Sequence, residues 1–252
     1  MKPVLTIPKG LTENQFHYCP GCTHGIIHRL IGELLEEMNL IEKAIGVAPV
    51  GCAGFCENYF ACDVIGAAHG RAVAVATGAK RARPDRFIFT YQGDGDGASI
   101  GLAETISAAN RGEKITSIFA NNAIYGMTGG QMAPTTLLGQ KTSTSPYGRD
   151  SFSMGFPMDL PKVLTQVEGA VYVASVSVDS PKDVKEAKKA LRKAFQVQLD
   201  GLGYSFVSIL TTCPTNWGVN PVEALEWLQT KMKPQFALGE LKVPAHKGGV
   251  AK

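Results

Sequence analysis

Residues 93–122 read GDGDGASIGLAETISAANRGEKITSIFANN, and no other stretch of the chain limits its fold so narrowly. The β-rich run RFIFTYQ leads into it, ASIGLAETISAAN has the length and composition of a helix stopped by Gly112, and ITSIFANN is a second β-rich run. Strand, helix and strand in so short a span make a βαβ unit, whose crossover is right-handed and whose strands are parallel. Asp94 and Asn122, each at the end of its strand, are therefore expected on the same edge of one sheet. That edge is where open α/β sheets bind ligands.

The residues at those strand ends carry a chemistry. Gly93-Asp94-Gly95 is followed by 25 residues and then Asn121-Asn122. Flanking glycines let a diphosphate approach the backbone, and a carboxylate with an amide oxygen can hold Mg²⁺, a hard ion that takes oxygen ligands and keeps phosphate as a co-ligand. Asp96 falls in the first turn of the following helix, where the dipole favours a carboxylate, and is left outside the metal shell.

The βαβ theme extends in both directions. GIIHRLIGELLEEM, residues 25–38, places apolar residues at helical spacing; KAIGVAPVG is a short apolar run; AAHGRAVAVATGAKRA reads as a small-residue helix. Residues 125–150 are rich in Gly, Pro, Ser and Thr without a period and read as a long ordered loop, which in a compact domain is usually functional. After it come a helix at MDLPKVLTQVEG, a strand at AVYVASVSV, a charged helix opened by Ser180 and Pro181, and a strand at YSFVSILTTC. The basic residues between Lys182 and Lys193 read as a solvated helix face. The expected fold is α/β, a three-layer sandwich on a mostly parallel sheet, with one domain over residues 1–220 and a C-terminal helix and tail over 221–252.

Bulk properties exclude several roles. A net charge of +3 from 25 basic and 22 acidic side chains is too small for a nucleic-acid binder. No apolar run reaches the length of a signal peptide core or a membrane span, so a cytoplasmic protein is expected. In that reducing setting the six cysteines, Cys19, Cys22, Cys52, Cys56, Cys62 and Cys213, are metal ligands, reactive thiols or small core residues before they are structural disulfides. YCPGCTHG, residues 18–25, carries a C-x-x-C pair whose spacing alone does not choose among redox disulfide, zinc site and iron-sulfur site.

With GDGDG, the later NN, and the stretches YCPGCTHG, HGRAVAVATG, NNAIYGMTGGQMAPTT and TTCPTNWG, the chain resembles the β subunit of the 2-oxoacid:ferredoxin oxidoreductases over roughly residues 15–220. GDG followed by NN at this spacing looks like the thiamine-diphosphate fingerprint, so the resemblance implies the thiamine-diphosphate-binding fold. It implies Mg²⁺ ligation by the Asp94 carboxylate, the Asn122 side chain and the Ile124 carbonyl. Gly93, Gly95 and the Thr128-Gly129-Gly130-Gln131 loop would lie beside the cofactor, with His69 near the diphosphate. It also assigns Cys19, Cys22, Cys52 and Cys213 to a [4Fe-4S] cluster. Cys56 and Cys62 read as small buried residues and His24 as a structural one.

The resemblance further implies thiamine-dependent oxidative decarboxylation of a 2-oxo acid, with the acyl group passed to coenzyme A and electrons passed through the cluster to ferredoxin. The glutamate that activates thiamine belongs to an α subunit in that family, so α, γ and ferredoxin-like δ subunits, or equivalents, are expected partners. No catalytic acid or base is assigned within this chain. Gly129 stands where some relatives have a lysine, which favours a 2-oxoisovalerate-like substrate over 2-oxoglutarate; Arg71 is a second source of charge for the latter. Two other readings compete: a non-oxidative thiamine-dependent decarboxylase subunit, and a scaffold subunit stabilised by zinc.

Overall fold

The computed structural model describes residues 6–244. Its centre is a seven-stranded sheet in the order β2-β1-β3-β4-β6-β5-β7. The strands are β1 Ala44–Ala48, β2 Asp63–Gly66, β3 Phe87–Gly93, β4 Thr116–Asn121, β5 Ala170–Ser177, β6 Tyr204–Leu210 and β7 Gly239–Lys242. β1 through β6 run parallel, and only β7 is antiparallel, pairing with β5 at the edge.

Alternation along β3 divides the core into two layers. Phe87, Phe89 and Tyr91 face one side, where α1 (His24–Glu37) and α6 (Pro181–Leu199) bury Ile27, Ile31, Leu34, Leu191 and Phe195 against them. Ile88 faces the other side, packed with Val73 and Ala76 of α2 (Ala72–Ala82), Ala108 of α3 (Leu102–Asn110), and Leu160 and Leu164 of α5 (Leu160–Thr165). Helices thus cover both faces, as a parallel sheet with nearly continuous apolar strands requires. The fold is the expected three-layer α/β sandwich. Among the described residues no helix is long and apolar enough to cross a membrane.

Four differences from the sequence reading have local causes. The helix expected over 67–82 begins at Ala72, because Gly70 takes a left-handed φ of 75° and turns the chain ahead of it. The helix expected from Ala98 is divided into a wide π turn at Asp96–Ile100 and α3, because Gly101 packs on Gly70: a Cβ there would lie 2.6 Å from the Gly70 carbonyl oxygen. β2 and β7, with the sequences DVIG and GELK, are short edge strands whose polar or charged residues hide any period. The basic face of α6 is less solvated than expected, since Lys188 reaches Glu33 (2.6 Å) and Glu37 (2.7 Å) on α1, and Arg192 pairs with Glu37.

The segment set apart from residue 221 has no core of its own and uses that of the body. Asn220 and Glu223 form a reciprocal capping box at the start of α8 (Pro221–Trp227). Leu228, Met232 and Phe236 beyond it are buried against Ala123, Leu137 and Leu210. Residues 245–252 of the expected tail lie outside the described residues.

Because β1, β3, β4 and β6 are adjacent and parallel, their carboxyl ends emerge side by side. The segments that follow them are Pro49–Ala53, Asp94–Asp96, Asn122–Thr128 and Thr211–Cys213. Asp94, Asn122, Cys52 and Cys213 thereby come to one sheet edge from four places in the sequence.

Candidate functional site

A cavity of about 260 Å³ opens at that edge, lined by Gly51, Cys52, Gly93–Asp96, Asn122 and Ile124–Thr128, with His24 and His69 on its walls. Asp94 and Asn122 meet within it. The Ile124 amide donates to Asp94 Oδ2 at 3.1 Å and to Asn122 Oδ1 at 3.2 Å, so two side-chain oxygens converge on one N–H. Ala123 makes this possible by adopting a left-handed φ of 58°, unusual for a residue with a Cβ. Thr136 Oγ1 (2.7 Å) and Gln140 Nε2 (3.0 Å) donate to its carbonyl and hold the turn.

Asp94 is buried and accepts two further bonds, from the Gly95 amide (2.9 Å) and Thr135 Oγ1 (3.0 Å). Burial nonetheless pushes its carboxyl up to about 7, outweighing the bonds that pull it down. A buried carboxylate beside an amide oxygen, with no lysine or arginine among the described residues lining the cavity, has the donor set that suits a hard divalent cation. A Cβ on Gly93 would meet nothing within 4 Å, so the backbone there faces open space in which a diphosphate fits. Gly95 serves differently: the space of its missing side chain is filled by the Tyr125 ring, 2.9 Å from where a Cβ would be.

Asp96 takes no place beside Asp94. Its Oδ1 accepts from the Gly70 amide (2.6 Å) and pairs with His69 Nδ1 (2.8 Å), and its Oδ2 accepts from Gln92 Nε2 (2.6 Å). A buried aspartate thus fixes the His69 ring at the cavity wall. Of the Thr128–Gln131 loop, only Thr128 lines the cavity. Gln131 folds back to donate to the Thr128 carbonyl (2.8 Å), and Gly130 leaves room for Asn216, whose Oδ1 would lie 3.1 Å from a Cβ at that position.

Sequence reasoning missed Thr135, Thr136, Gln140 and Arg149. The buried Arg149 guanidinium donates to the carbonyls of Pro134 (2.9 Å), Thr136 (2.6 Å), Met154 (3.1 Å), Gly155 (3.0 Å) and Phe156 (2.8 Å). It gives the long loop its shape. The only available signal was the cluster of Thr and Gln in APTTLLGQ, polar residues that the loop's composition made unremarkable.

The cysteines divide into two groups. Segment 18–23 is tied to the others by Tyr18 OH donating to the Cys52 carbonyl (3.2 Å), and by Thr212 Oγ1 donating to the Gly21 carbonyl (2.6 Å). Asn216 Nδ2 donates to the Gly126 carbonyl (2.9 Å) and contacts Cys213 Sγ (3.3 Å), joining the cysteine region to the cavity loop. Burial pushes the Cys22 thiol up to about 12, with Cys213, Cys52 and Cys19 adding to it; burial pushes Cys52 up to about 11, with Cys213, Cys19 and Asp94 adding. Burial raises Cys213 as well, helped by Asp94 and Cys19. Cys19, Cys22, Cys52 and Cys213 therefore share one region. Among the described residues no three His, Cys, Asp or Glu side chains close on a single metal-ion position. A donor set of four thiols on three separate segments suits a thiolate-bound cluster. Cys56 is buried in the main core with Cys62 packed against that core, as expected of small apolar residues.

His24, expected to be structural, is buried but borders the cavity. Burial holds it down at about 4, and the neighbouring His17 adds to this.

Residues 49–209 match the model of the thiamine pyrophosphate enzyme C-terminal TPP-binding domain. The chain is 49% identical over 220 residues to the ketoisovalerate oxidoreductase subunit VorA of Methanothermobacter thermautotrophicus, covering 87% of this chain and 46% of that one. It is 39% identical over 203 residues to the 2-oxoglutarate synthase subunit KorB of Methanocaldococcus jannaschii, covering 80% and 70%. The chain thus spans about half the length of its ketoisovalerate relative and more of its 2-oxoglutarate relative. Among solved structures, a 2-oxoglutarate:ferredoxin oxidoreductase from Magnetococcus marinus, with 2-oxoglutarate, coenzyme A and succinyl-CoA bound, superposes with a TM-score of 0.77 at 30% identity, over 90% of this chain and 74% of that one.

Proposed function

Because the chain belongs to the 2-oxoacid:ferredoxin oxidoreductase family, we propose that it is the β subunit of such an enzyme, decarboxylating a 2-oxo acid oxidatively to acyl-CoA and CO₂ and reducing ferredoxin. The observation that carries this reading is the convergence of Asp94 and Asn122 on one amide at the sheet edge where Cys52 and Cys213 also emerge, with the Cys19–Cys22 segment hydrogen-bonded to the chain at Cys52 and Thr212.

When bound, thiamine diphosphate supplies an electron sink for decarboxylation, and a [4Fe-4S] cluster supplies a one-electron exit that redox-inert zinc does not. Asp94, Asn122 and the Ile124 carbonyl would hold Mg²⁺. Gly93 would give the diphosphate access to the backbone, Gly95 and Thr128 would flank it, and Asp96 would keep His69 turned to it. Gly129, Gly130 and Gln131 shape the loop that carries Thr128. Cys19, Cys22, Cys52 and Cys213 would bind the cluster, and a cytoplasmic setting would keep their thiols reduced. An α subunit would supply the activating glutamate, and γ and δ subunits or equivalents would complete the enzyme.

For the substrate we favour 2-oxoisovalerate or a similar acid with an uncharged side chain. Among the described residues no lysine or arginine lines the cavity, Gly129 offers no charge, and Arg71 is engaged by Glu104. The higher identity to the ketoisovalerate subunit supports the same choice.

The test is anaerobic purification of the co-expressed complex, followed by metal, cofactor and 2-oxo acid screens. Iron and acid-labile sulfide at about four each per chain are expected. Cys213→Ala should abolish ferredoxin reduction while thiamine diphosphate stays bound. Zinc in place of iron, or undiminished electron transfer in that variant, overturns the reading.

A further inference from the structure

Among the described residues, His24 is the one buried polar side chain on the cavity wall whose role the cofactor and the cluster leave unassigned. It opens α1, two residues after Cys22, and its ring is held on two sides. Tyr18 stacks on it at a centroid separation of 4.9 Å, and Tyr91, fully buried in β3, pairs its hydroxyl with His24 Nδ1.

That pairing sets the tautomer. The Tyr91 hydroxyl has no other partner among the described residues. Were Nδ1–H the donor, the Tyr91 O–H would be left buried without an acceptor, which costs about 1–3 kcal/mol. With Tyr91 donating to Nδ1, both groups are satisfied and the single hydrogen of the neutral ring sits on Nε2. Among the described residues His24 Nε2 has no partner, and it is not sealed from solvent, unlike His28 Nδ1. Since His24 borders the cavity, its N–H is offered to whatever fills that space.

The ring lies at the cysteine end of the cavity. Tyr18, stacked on His24, donates through its hydroxyl to the Cys52 carbonyl at 3.2 Å, so the histidine and the cluster-side cysteine share one support. If electrons leave the reacting carbon toward that cysteine, the substrate's own oxygens come to the same end, and among the described residues no lysine or arginine lines the cavity to meet them.

We propose that His24, its tautomer set by Tyr91, is the hydrogen-bond donor that the cavity presents to the oxygen atoms of the bound 2-oxo acid. This rests on the reading of the chain as a 2-oxoacid oxidoreductase subunit. The histidine keeps its proton throughout: it orients the acid and supports charge on its oxygen, and no proton transfer is assigned to it.

The test uses the complex co-expressed with its partner subunits, loaded with thiamine diphosphate, and oxamate, an unreactive 2-oxo acid analogue, as calorimetric probe. His24→Leu removes the donor; Tyr91→Phe removes one hydroxyl and frees the tautomer. We expect oxamate affinity to fall at least 10-fold in His24→Leu and about 3- to 10-fold in Tyr91→Phe, with iron content and thiamine diphosphate affinity as in the parent complex. His24→Gln, which restores an N–H, should recover part of the loss. Unchanged oxamate affinity in a cofactor-loaded Tyr91→Phe complex overturns the proposal, even if His24→Leu does not assemble. So does a loss of cofactor affinity with oxamate binding intact, because the donor would then serve the cofactor. If instead the parent complex carries no thiamine diphosphate or oxidises no 2-oxo acid, it is the functional reading that has failed.

Discussion

Asp96 shows how much one buried carboxylate organises. Its two oxygens accept from the Gly70 amide and Gln92 and pair with His69, so it links the turn before α2 to the end of β3. Asp96→Asn puts an amide against two donors and leaves one of them unpaired, at a cost of about 1–3 kcal/mol. We expect a lowered thermal midpoint and weaker binding of thiamine diphosphate with Mg²⁺, although Asp94 and Asn122 are untouched. An unchanged midpoint and affinity would show that His69 needs no such support. The roles of these residues were unequally legible in the sequence. Asp94 and Asn122 could be paired because strand, helix and strand of known spacing bring their ends together. Asp96 looked like a helix-turn residue, since its partners His69 and Gly70 lie on a turn that no local period announces. Thr135 and Gln140 were hidden because Arg149 sets their positions through carbonyls before and after it, contacts that composition does not encode.

At the scale of elements, the approach of the 69–70 turn to the start of α3 leaves no room for a side chain. A Cβ on Gly101 would lie 2.3 Å from the Asp96 carbonyl oxygen and 2.6 Å from that of Gly70, both fixed backbone atoms. Gly101→Ala should cost about 1–3 kcal/mol, read as a lower denaturant midpoint. Gly93 makes the opposite case, since a Cβ there meets open cavity. Gly93→Ala should leave stability within about 0.5 kcal/mol and weaken cofactor binding. If both variants lost only stability, Gly93 would be a packing residue and the diphosphate would lie elsewhere. The same contrast explains which elements the sequence disclosed. β3, β4, β5 and β6 are long, buried and bounded by turn residues, and α1 and α6 carry clear apolar stripes. β2 and β7 are edges of four residues each, which exist because β1 and β5 offer them unpaired backbone groups.

For the whole molecule, the exposed surface is as informative as the cavity. Tyr147 is 98% exposed and Phe152 is 101% exposed, while the segment carrying them is held rigid. Asp150 caps the short helix Ser151–Met154 by accepting from the Phe152 amide (3.0 Å) and the Ser153 amide (2.9 Å), and Arg149 grips the chain on both sides. Large aromatic side chains displayed on a fixed backbone lose little entropy on binding, and aromatic anchors of this kind dominate interface energies. Tyr147 belongs to the loop that begins at the cavity with Tyr125, and Phe152 to the short helix that follows that loop. The α subunit proposed as partner, which would bring the activating glutamate, is the occupant proposed for them. Replacing both, Tyr147→Ser with Phe152→Ser, removes no buried contact and should leave the thermal midpoint of the chain within a degree or two. Affinity for the co-expressed α subunit should fall at least about 30-fold, the loss typical of removing one strong anchor. Thiamine-dependent activity should fall in proportion to the complex lost and return when the partner is supplied in excess. A double variant that assembles as tightly as the parent would move the interface away from this loop, and the activating glutamate would have to enter the cavity from another side.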